Sequence, residues 1–121
     1  VYEAAISYCD ALEMADQSSL FKIGVKQIAN ECDVMASFMA KWSPLYPGCS
    51  GHLHQSLWDE KGENIFYSSD NEFGLSTVAQ QYLAGQLYCL PFILPMFAPT
   101  VNSYRRYVAG SWAPTTKPIR L

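Results

Sequence analysis

The sequence predicts an α+β fold, with an antiparallel sheet and helices packed on one side of it. Three observations favour this fold. Residues 2–9 and 49–58 alternate their side chains with the two-residue period of a strand. Residues 13–31 repeat apolar side chains at helical spacing. A turn signal at residues 60–63 is followed by a short apolar segment, as in a hairpin.

The first elements are predicted to be a strand, a helix and a second strand. Residues 2–9 carry large apolar side chains on one face and small or polar ones on the other. The helix at residues 13–31 is expected to use Asp16 and Ser18 in its first turn. Residues 34–40 are apolar except for Ser37, which is typical of a short strand buried on both faces.

The middle of the chain is predicted to contain a loop and a hairpin. Residues 43–48 have the proline and glycine spacing of a loop, and the chain then enters a strand at residues 49–58. The turn at residues 60–63 returns it into residues 65–67.

A second helix is predicted at residues 77–90, with Ser76 as its N-cap. Residues 91–121 are rich in proline, tyrosine, arginine and tryptophan and are expected to form an ordered loop. Residues 82–101 are strongly apolar, but glycine, glutamine and prolines interrupt them, so we expect a buried helix instead of a membrane span.

Charge and composition exclude several classes of function. The formal net charge is −3 and no run of basic residues occurs, which argues against a nucleic-acid surface or a basic membrane-binding face. The four cysteines form no Cys-x-x-Cys pair, and we expect reduced thiols in a cytoplasmic protein. The chain begins without methionine and ends without a closing element, so we expect a piece of a larger domain.

Two histidines and a serine form the first candidate site. Strand alternation places His52, His54 and Ser56 on one face, and Glu3 lies on the polar face of the first predicted strand. Imidazole and carboxylate together suit a divalent cation such as Mg²⁺ or Mn²⁺. Spacing alone favours a solvated or hydrogen-bonded pair of histidines on a strand over a metal site.

The second candidate site lies near the C-terminus. Arg105 and Arg106 are adjacent in a loop, where a guanidinium group can bind a carboxylate or phosphate with two hydrogen bonds. Ordinary surface ion pairs are the alternative. Trp112 is either a core anchor of this loop or an aromatic wall of a pocket.

Taken in order, seven segments resemble the catalytic domain of the glutamine synthetase family. They are Tyr2 and Glu3, LFKIGVKQIA at 20–29, ASFMAK at 36–41, GHLHQSLWDEKGENIF at 51–66, GLS at 74–76, YLAGQL at 82–87 and PTVNSYRRYVAGSWAP at 99–114. The resemblance implies that residues 1–121 are part of that domain. The N-terminal β-grasp domain and the C-terminal remainder of such proteins would lie outside them.

The resemblance implies a role for each matching residue. Glu3 matches a ligand of the metal on the substrate side, and His52 matches a ligand of the metal beside the nucleotide phosphates. His54 and Ser56 match nucleotide-side positions. The substrate-binding and catalytic positions are Gly48, in the loop that approaches the amino-acid substrate, and Arg106, which binds the carboxylate of glutamate.

The implied reaction uses ATP as a substrate and two or more Mg²⁺ or Mn²⁺ ions. The γ-carboxylate of glutamate accepts the γ-phosphoryl group of ATP, and ammonia or an amine then displaces phosphate from γ-glutamyl phosphate. Trp112 stands where ammonia-using members have a glutamate, so the resemblance favours an organic amine as nucleophile and gives Trp112 a substrate-binding role. The resemblance also implies a ring-shaped homo-oligomer. The alternative to a ligase is a non-catalytic structural relative of glutamine synthetase, of the lens type.

Overall fold

The computed structural model describes residues 1–107, in which three helices form most of the regular structure. These are α1 at Ala11–Glu31, α2 at Thr77–Phe97 and α3 at Val101–Tyr104. The chain divides into two compact units. The first unit is Val1–Cys49 with the chain from Arg105 onward and contains α1; the second is Ser50–Tyr104 and contains α2 and α3.

The predicted antiparallel sheet is wrong. The described residues contain no strand, and their β-type pairing consists of two isolated antiparallel bridges, Trp58 with Asn64 and Tyr67 with Leu75. The fold of this part of the chain is therefore helical with long irregular connections.

The reason lies in what a period-two pattern can specify. Alternation in residues 2–9, 34–40 and 49–58 assigns side chains to faces, but it does not supply a neighbouring strand. A ladder needs a second backbone that donates and accepts hydrogen bonds along its length. Within residues 1–107, the β-type pairing of these segments is limited to the bridge between Trp58 and Asn64, at the end of the third one, and no ladder extends from it. Side chains can therefore lie on the two alternating faces of a segment even when that segment is not part of a sheet.

The chain reversal predicted at residues 60–63 is present as a tight turn. The Asp59 N–H donates to the Glu63 carbonyl at 3.0 Å, and the Gly62 N–H donates to the Asp59 carbonyl at 3.0 Å. The Asp59 carboxylate accepts the N–H groups of Lys61 and Glu63, each at 2.9 Å. Gly62 has φ 79°, which a residue without Cβ adopts at little cost. One aspartate and one glycine therefore specify the turn.

Helix α1 confirms the predicted helix and begins two residues earlier than expected. Asp10 precedes it without a side-chain capping bond, and Glu13 supplies negative charge in the first turn. The expectation that Asp16 and Ser18 serve this turn is wrong, because both lie further inside the helix. Asp33 then adopts φ 54°, in the left-handed region where aspartate is tolerated, just after the helix ends.

Helix α2 begins where the sequence predicts but continues seven residues further, through Pro91 and Pro95 to Phe97. The prediction ended the helix before Pro91, since proline lacks an N–H and crowds the preceding turn. The run of large apolar side chains around both prolines remains helical nevertheless. No helix in the part of the chain that the structure describes combines the length and hydropathy needed to cross a membrane.

Ser76 is the N-cap of α2, as predicted, and it also connects the helix to the preceding segment. Its Oγ accepts the Ala79 N–H at 3.1 Å and donates to the Ile65 carbonyl at 2.6 Å. Its own N–H donates to the Phe66 carbonyl at 2.9 Å. One small side chain thus satisfies the helix start and fixes its position on residues 65–66.

Very little of the described chain is buried. Ala79, at 3% exposed, and Ala98, at 2%, are the buried hydrophobic residues among those described. Several large apolar side chains are mainly exposed, including Tyr2, Tyr8, Met35, Phe92 and Met96. The burial of apolar surface that normally stabilises a domain is therefore small here.

Replacing Ser76 should weaken the start of α2. In the intact protein, Ser76→Ala removes a cap and a bond to residue 65, at a cost of about 1–2 kcal/mol. Amide hydrogen exchange in the first turn of α2 should become about 5–30 times faster. Ser19→Ala is the control, because Ser19 bonds only to Ala15 within exposed α1. Equal acceleration at the two helices, each measured in its own variant, would contradict this role of Ser76.

Residues 1–121 expressed alone should be inactive and should not fold cooperatively, because so little apolar surface is buried in the described part. Thermal melting should show a broad transition, and a hydrophobic dye should bind at room temperature. A sharp transition together with resistance to protease would contradict this expectation.

Candidate active site

Gly48 and Arg106, which the resemblance assigns to the glutamate substrate, are in contact within the first unit. A Cβ atom on Gly48 would lie 3.0 Å from both Cδ and Nε of Arg106 and would collide with the carbonyl oxygen of Ala40. Because protein side chains do not tolerate such approaches, only glycine fits at position 48. The side chain of Arg106 therefore lies directly against the backbone of the loop.

The loop that carries Gly48 is closed at its base. The Cys49 N–H donates to the Ala40 carbonyl at 2.9 Å, so the chain leaves the loop beside the point where it entered. Within the loop, the Lys41 ammonium donates to the Tyr46 carbonyl at 2.7 Å. These two bonds fix the backbone on which Gly48 lies.

An aromatic pair supports the same loop. Trp42 and Tyr46 stack with ring centroids 5.2 Å apart and an interplanar angle of 5°. Such a pair contributes about 0.5–1.5 kcal/mol beyond the area it buries. Trp42 had no predicted role. The sequence feature that could have indicated this pair is the spacing of two aromatic residues, four positions apart, in a loop with two prolines.

Two hydrogen bonds at the first candidate site, that of the histidines and Ser56, join residues close in sequence within the second unit. The Ser50 hydroxyl and Nε2 of His52 are 3.4 Å apart, and the Trp58 indole N–H donates to the Ser56 hydroxyl at 2.9 Å. His52, His54 and Ser56 are all exposed. The contacts thus pair even-numbered residues with one another, as expected for side chains that share one face.

The odd-numbered side chains of the same segment lie on a cavity of about 260 Å³. Leu53 and Gln55 line it from the segment, while His52, His54 and Ser56 do not. The remaining wall consists of Phe66, Leu75, Ala79, Tyr82, Leu83 and Gln86. The two faces of residues 52–56 are therefore distinguished in the structure even though no sheet forms.

Gln55 is the polar centre of this cavity and is a residue that the sequence analysis missed. Its Oε1 accepts the Tyr82 hydroxyl at 3.0 Å and the Gln86 side-chain N–H at 3.0 Å. Tyr82 and Gln86 are four residues apart and so share one face of α2. That spacing, opposite the alternating segment, was the available signal in the sequence.

The two residues expected to bind a metal, Glu3 and His52, have side chains of a suitable chemical type. The carboxylate of Glu3 and the imidazole of His52 are ligands that Mg²⁺ and Mn²⁺ accept, and both residues are exposed. Among residues 1–107, no three His, Cys, Asp or Glu side chains come together as a metal site. Each of the two residues can therefore supply one ligand of a set that the described residues do not complete.

One expected substrate residue lies outside the described residues: Trp112. Arg105 and Arg106 are both described, and Arg106 is the one against Gly48. The structure thus brings together the two residues expected to bind glutamate and keeps the three nucleotide-side residues of the second unit on one face.

Comparisons with known proteins show which family the chain resembles. A model of the family described as "Glutamine synthetase, catalytic domain" matches residues 1–117. "Type-1 glutamine synthetase 2" of Dictyostelium discoideum is 51% identical over 117 residues, which are 96% of this chain and 22% of that protein. "Glutamate--isopropylamine ligase" of a Pseudomonas species is 40% identical over 112 residues, covering 93% of this chain and 24% of the relative.

A solved structure described as the "GmaS/ADP complex" is also similar, with a TM-score of 0.78 and 38% identity. The match covers 86% of this chain and 24% of that one. The chain therefore spans about a quarter of the length of these relatives. Since the family match extends over nearly every residue, the chain belongs to the glutamine synthetase family.

Proposed function

We propose that the intact protein is an ATP-dependent carbon–nitrogen ligase that joins the γ-carboxylate of glutamate to an amine. The observation that carries this proposal is the contact between Gly48 and Arg106. These residues are far apart in the sequence, and the resemblance assigns both to the same substrate. The family membership and the relative named for a glutamate–isopropylamine reaction support the same class of activity.

The glutamate substrate binds where the guanidinium group of Arg106 lies beside the loop. The planar group donates two parallel hydrogen bonds to a carboxylate, which fixes the direction of the amino acid as well as its position. Gly48 leaves room for the substrate to approach the backbone, since a Cβ atom is absent there. Positioning of this kind accounts for much of the rate acceleration when the reacting groups must meet in line.

The reaction proceeds in two transfers. An oxygen of the γ-carboxylate forms a bond to the γ-phosphorus of ATP, the bond to the bridging oxygen breaks, and ADP leaves. The amine nitrogen then bonds to the carbonyl carbon of the acyl phosphate group in γ-glutamyl phosphate, phosphate leaves with the electron pair of the C–O bond, and the nitrogen loses a proton. Glutamate, ATP and the amine are thus the substrates of the proposed enzyme.

Of the two or more Mg²⁺ or Mn²⁺ ions that the resemblance implies, one on the substrate side would take Glu3 as a ligand, and one beside the nucleotide phosphates would take His52. When bound, these ions neutralise negative charge on the phosphates during transfer. His54 and Ser56 contact the nucleotide from the face that they share with His52. A similar solved structure is described as an ADP complex, which supports a nucleotide as a substrate of this protein.

The preferred nucleophile in this proposal is an organic amine. Trp112 has no acid or base with which to deprotonate ammonium, whereas its π face attracts a cationic amine by about 0.5–2 kcal/mol. A relative named for isopropylamine supports a family capacity for such substrates. We also propose that the protein is cytoplasmic and forms a ring-shaped homo-oligomer, as the resemblance implies.

Gly48→Ala should weaken glutamate binding in the intact protein. The new methyl group would displace Arg106 or the closed base of the loop, so KM for glutamate should rise about tenfold, corresponding to about 1.4 kcal/mol, while KM for ATP changes less. Gly24→Ala is the matched control, since a Cβ there meets nothing within 4 Å. A wild-type KM for glutamate in Gly48→Ala would refute the assignment.

An amine panel tests the acceptor. Isopropylamine, ethanolamine and a diamine should exceed ammonia in kcat/KM with the intact protein, by about 2–30-fold if the aromatic face supplies the preference. Trp112→Glu should shift the preference towards ammonia, and Trp112→Phe should retain it because a π face remains. Ammonia as the clearly better substrate of the wild type would remove the organic-amine proposal, and inactivity with every amine would favour a non-catalytic relative.

A further inference from the structure

The bonds made by Gln55 reach further along the chain than two hydrogen bonds described for its neighbours. Ser50 meets His52, and Trp58 meets Ser56, each two residues away. Gln55 instead accepts hydrogen bonds from Tyr82 and Gln86, 27 and 31 residues later. The side chain of Gln55 therefore ties the segment to α2.

Both donors converge on one atom. Oε1 of Gln55 accepts two hydrogen bonds, so the orientation of its amide is fixed by the Tyr82 hydroxyl and the Gln86 N–H together. A neutral hydrogen bond contributes modestly by itself, but two bonds to one atom restrict both the distance and the direction of the segment.

The donors are themselves held in place. The ring of Tyr82 packs on Phe66, with centroids 5.1 Å apart. Phe66 accepts the N–H of Ser76 through its carbonyl, and Ser76 caps α2. Tyr82 is therefore supported at its ring and at its helix, which makes it a fixed reference point for Gln55.

Attachment at Gln55 has a consequence for its neighbours because side chains alternate along an extended segment. A shift by one residue would turn His54 or Ser56 towards α2 and would turn Gln55 away from it. The backbone is held at the end of this segment, where the Leu57 carbonyl accepts the Ile65 N–H at 2.9 Å and Trp58 bridges to Asn64. No ladder extends from there along the described residues 52–56, so side-chain bonds set the orientation of that stretch.

We propose that Gln55 is a positioning residue whose acceptor oxygen, held by Tyr82 and Gln86, sets the face on which His52, His54 and Ser56 lie. This inference rests on the proposed function for the role of those three residues. Gln55 itself touches neither the substrate nor the nucleotide. It acts through the register of the segment.

The test uses the intact protein and compares loss of the acceptor with its retention. Gln55→Met keeps the length of the side chain but removes the oxygen, while Gln55→Glu keeps an oxygen that accepts both donors. Tyr82→Phe removes a single hydroxyl and is the milder variant, in case Gln55→Met does not fold. Tyr88→Phe, which removes a hydroxyl from the same helix at a position 78% exposed, is the matched control.

Three measurements are made on each variant: hydrogen exchange in residues 51–57 without ligand, binding of Mn²⁺ alone by electron paramagnetic resonance, and KM for ATP beside kcat. Gln55→Met should exchange about tenfold faster, bind Mn²⁺ about tenfold more weakly and raise KM for ATP more than it lowers kcat. Tyr82→Phe should show about a threefold effect. Gln55→Glu and Tyr88→Phe should stay close to the wild type.

Unchanged exchange in both Gln55→Met and Tyr82→Phe overturns the proposal. Equal losses in Gln55→Met and Gln55→Glu also overturn it, because side-chain volume and not the acceptor would then matter. Faster exchange together with unchanged Mn²⁺ binding and unchanged KM for ATP would also overturn the proposal, because the segment would then move without affecting His52, His54 and Ser56. Failure of the proposed function is recognised separately: the wild type would be inactive with every amine, or His52→Ala would leave Mn²⁺ affinity unaltered. Hydrogen exchange in residues 51–57 would then still decide whether Gln55 sets the orientation of the segment.

Discussion

One backbone hydrogen bond, from the N–H of Cys49 to the carbonyl of Ala40, is the constraint on which the glutamate side of the candidate site depends. It closes the loop so tightly that the carbonyl lies where a side chain at position 48 would begin. The absence of a side chain there in turn admits Arg106. Because Gly48 has no Cβ atom, the side chain of Arg106, which is distant in sequence, can lie against the loop.

In the second unit, hydrogen bonds of side chains hold the candidate site residues in place, whereas in the first unit a backbone hydrogen bond closes the loop. Its segment of residues 52–56 is attached to α2 through Gln55, and α2 is attached to residues 65–66 through Ser76. Both attachments are hydrogen bonds between partly exposed groups, each worth little against competing water. Their effect is directional: they decide orientation more than they contribute to the free energy of unfolding.

How far the sequence predicts this structure differs from element to element. The helices were predictable, because apolar spacing and the Ser76 cap are local signals that need no distant partner. The sheet was not predictable, because alternation in residues 2–9 indicates which side chains share a face but does not indicate which strand would pair with the segment. The contact between Gly48 and Arg106 followed only from resemblance, as no local rule joins a loop glycine to a remote arginine. Gln55 was missed because its partners are set by the placement of α2.

The two prolines of α2 give the helix an uneven hydrogen-bond pattern. Pro91 and Pro95 have no N–H, so the carbonyls of Leu87 and Pro91 have no donor four residues ahead in the helix. Those oxygens remain available as acceptors for water or for a hydroxyl group. The stretch after Leu87 consequently resists bending less than the turns before it. Within α2, the half that does not carry Tyr82 and Gln86 is therefore the half that bends more easily.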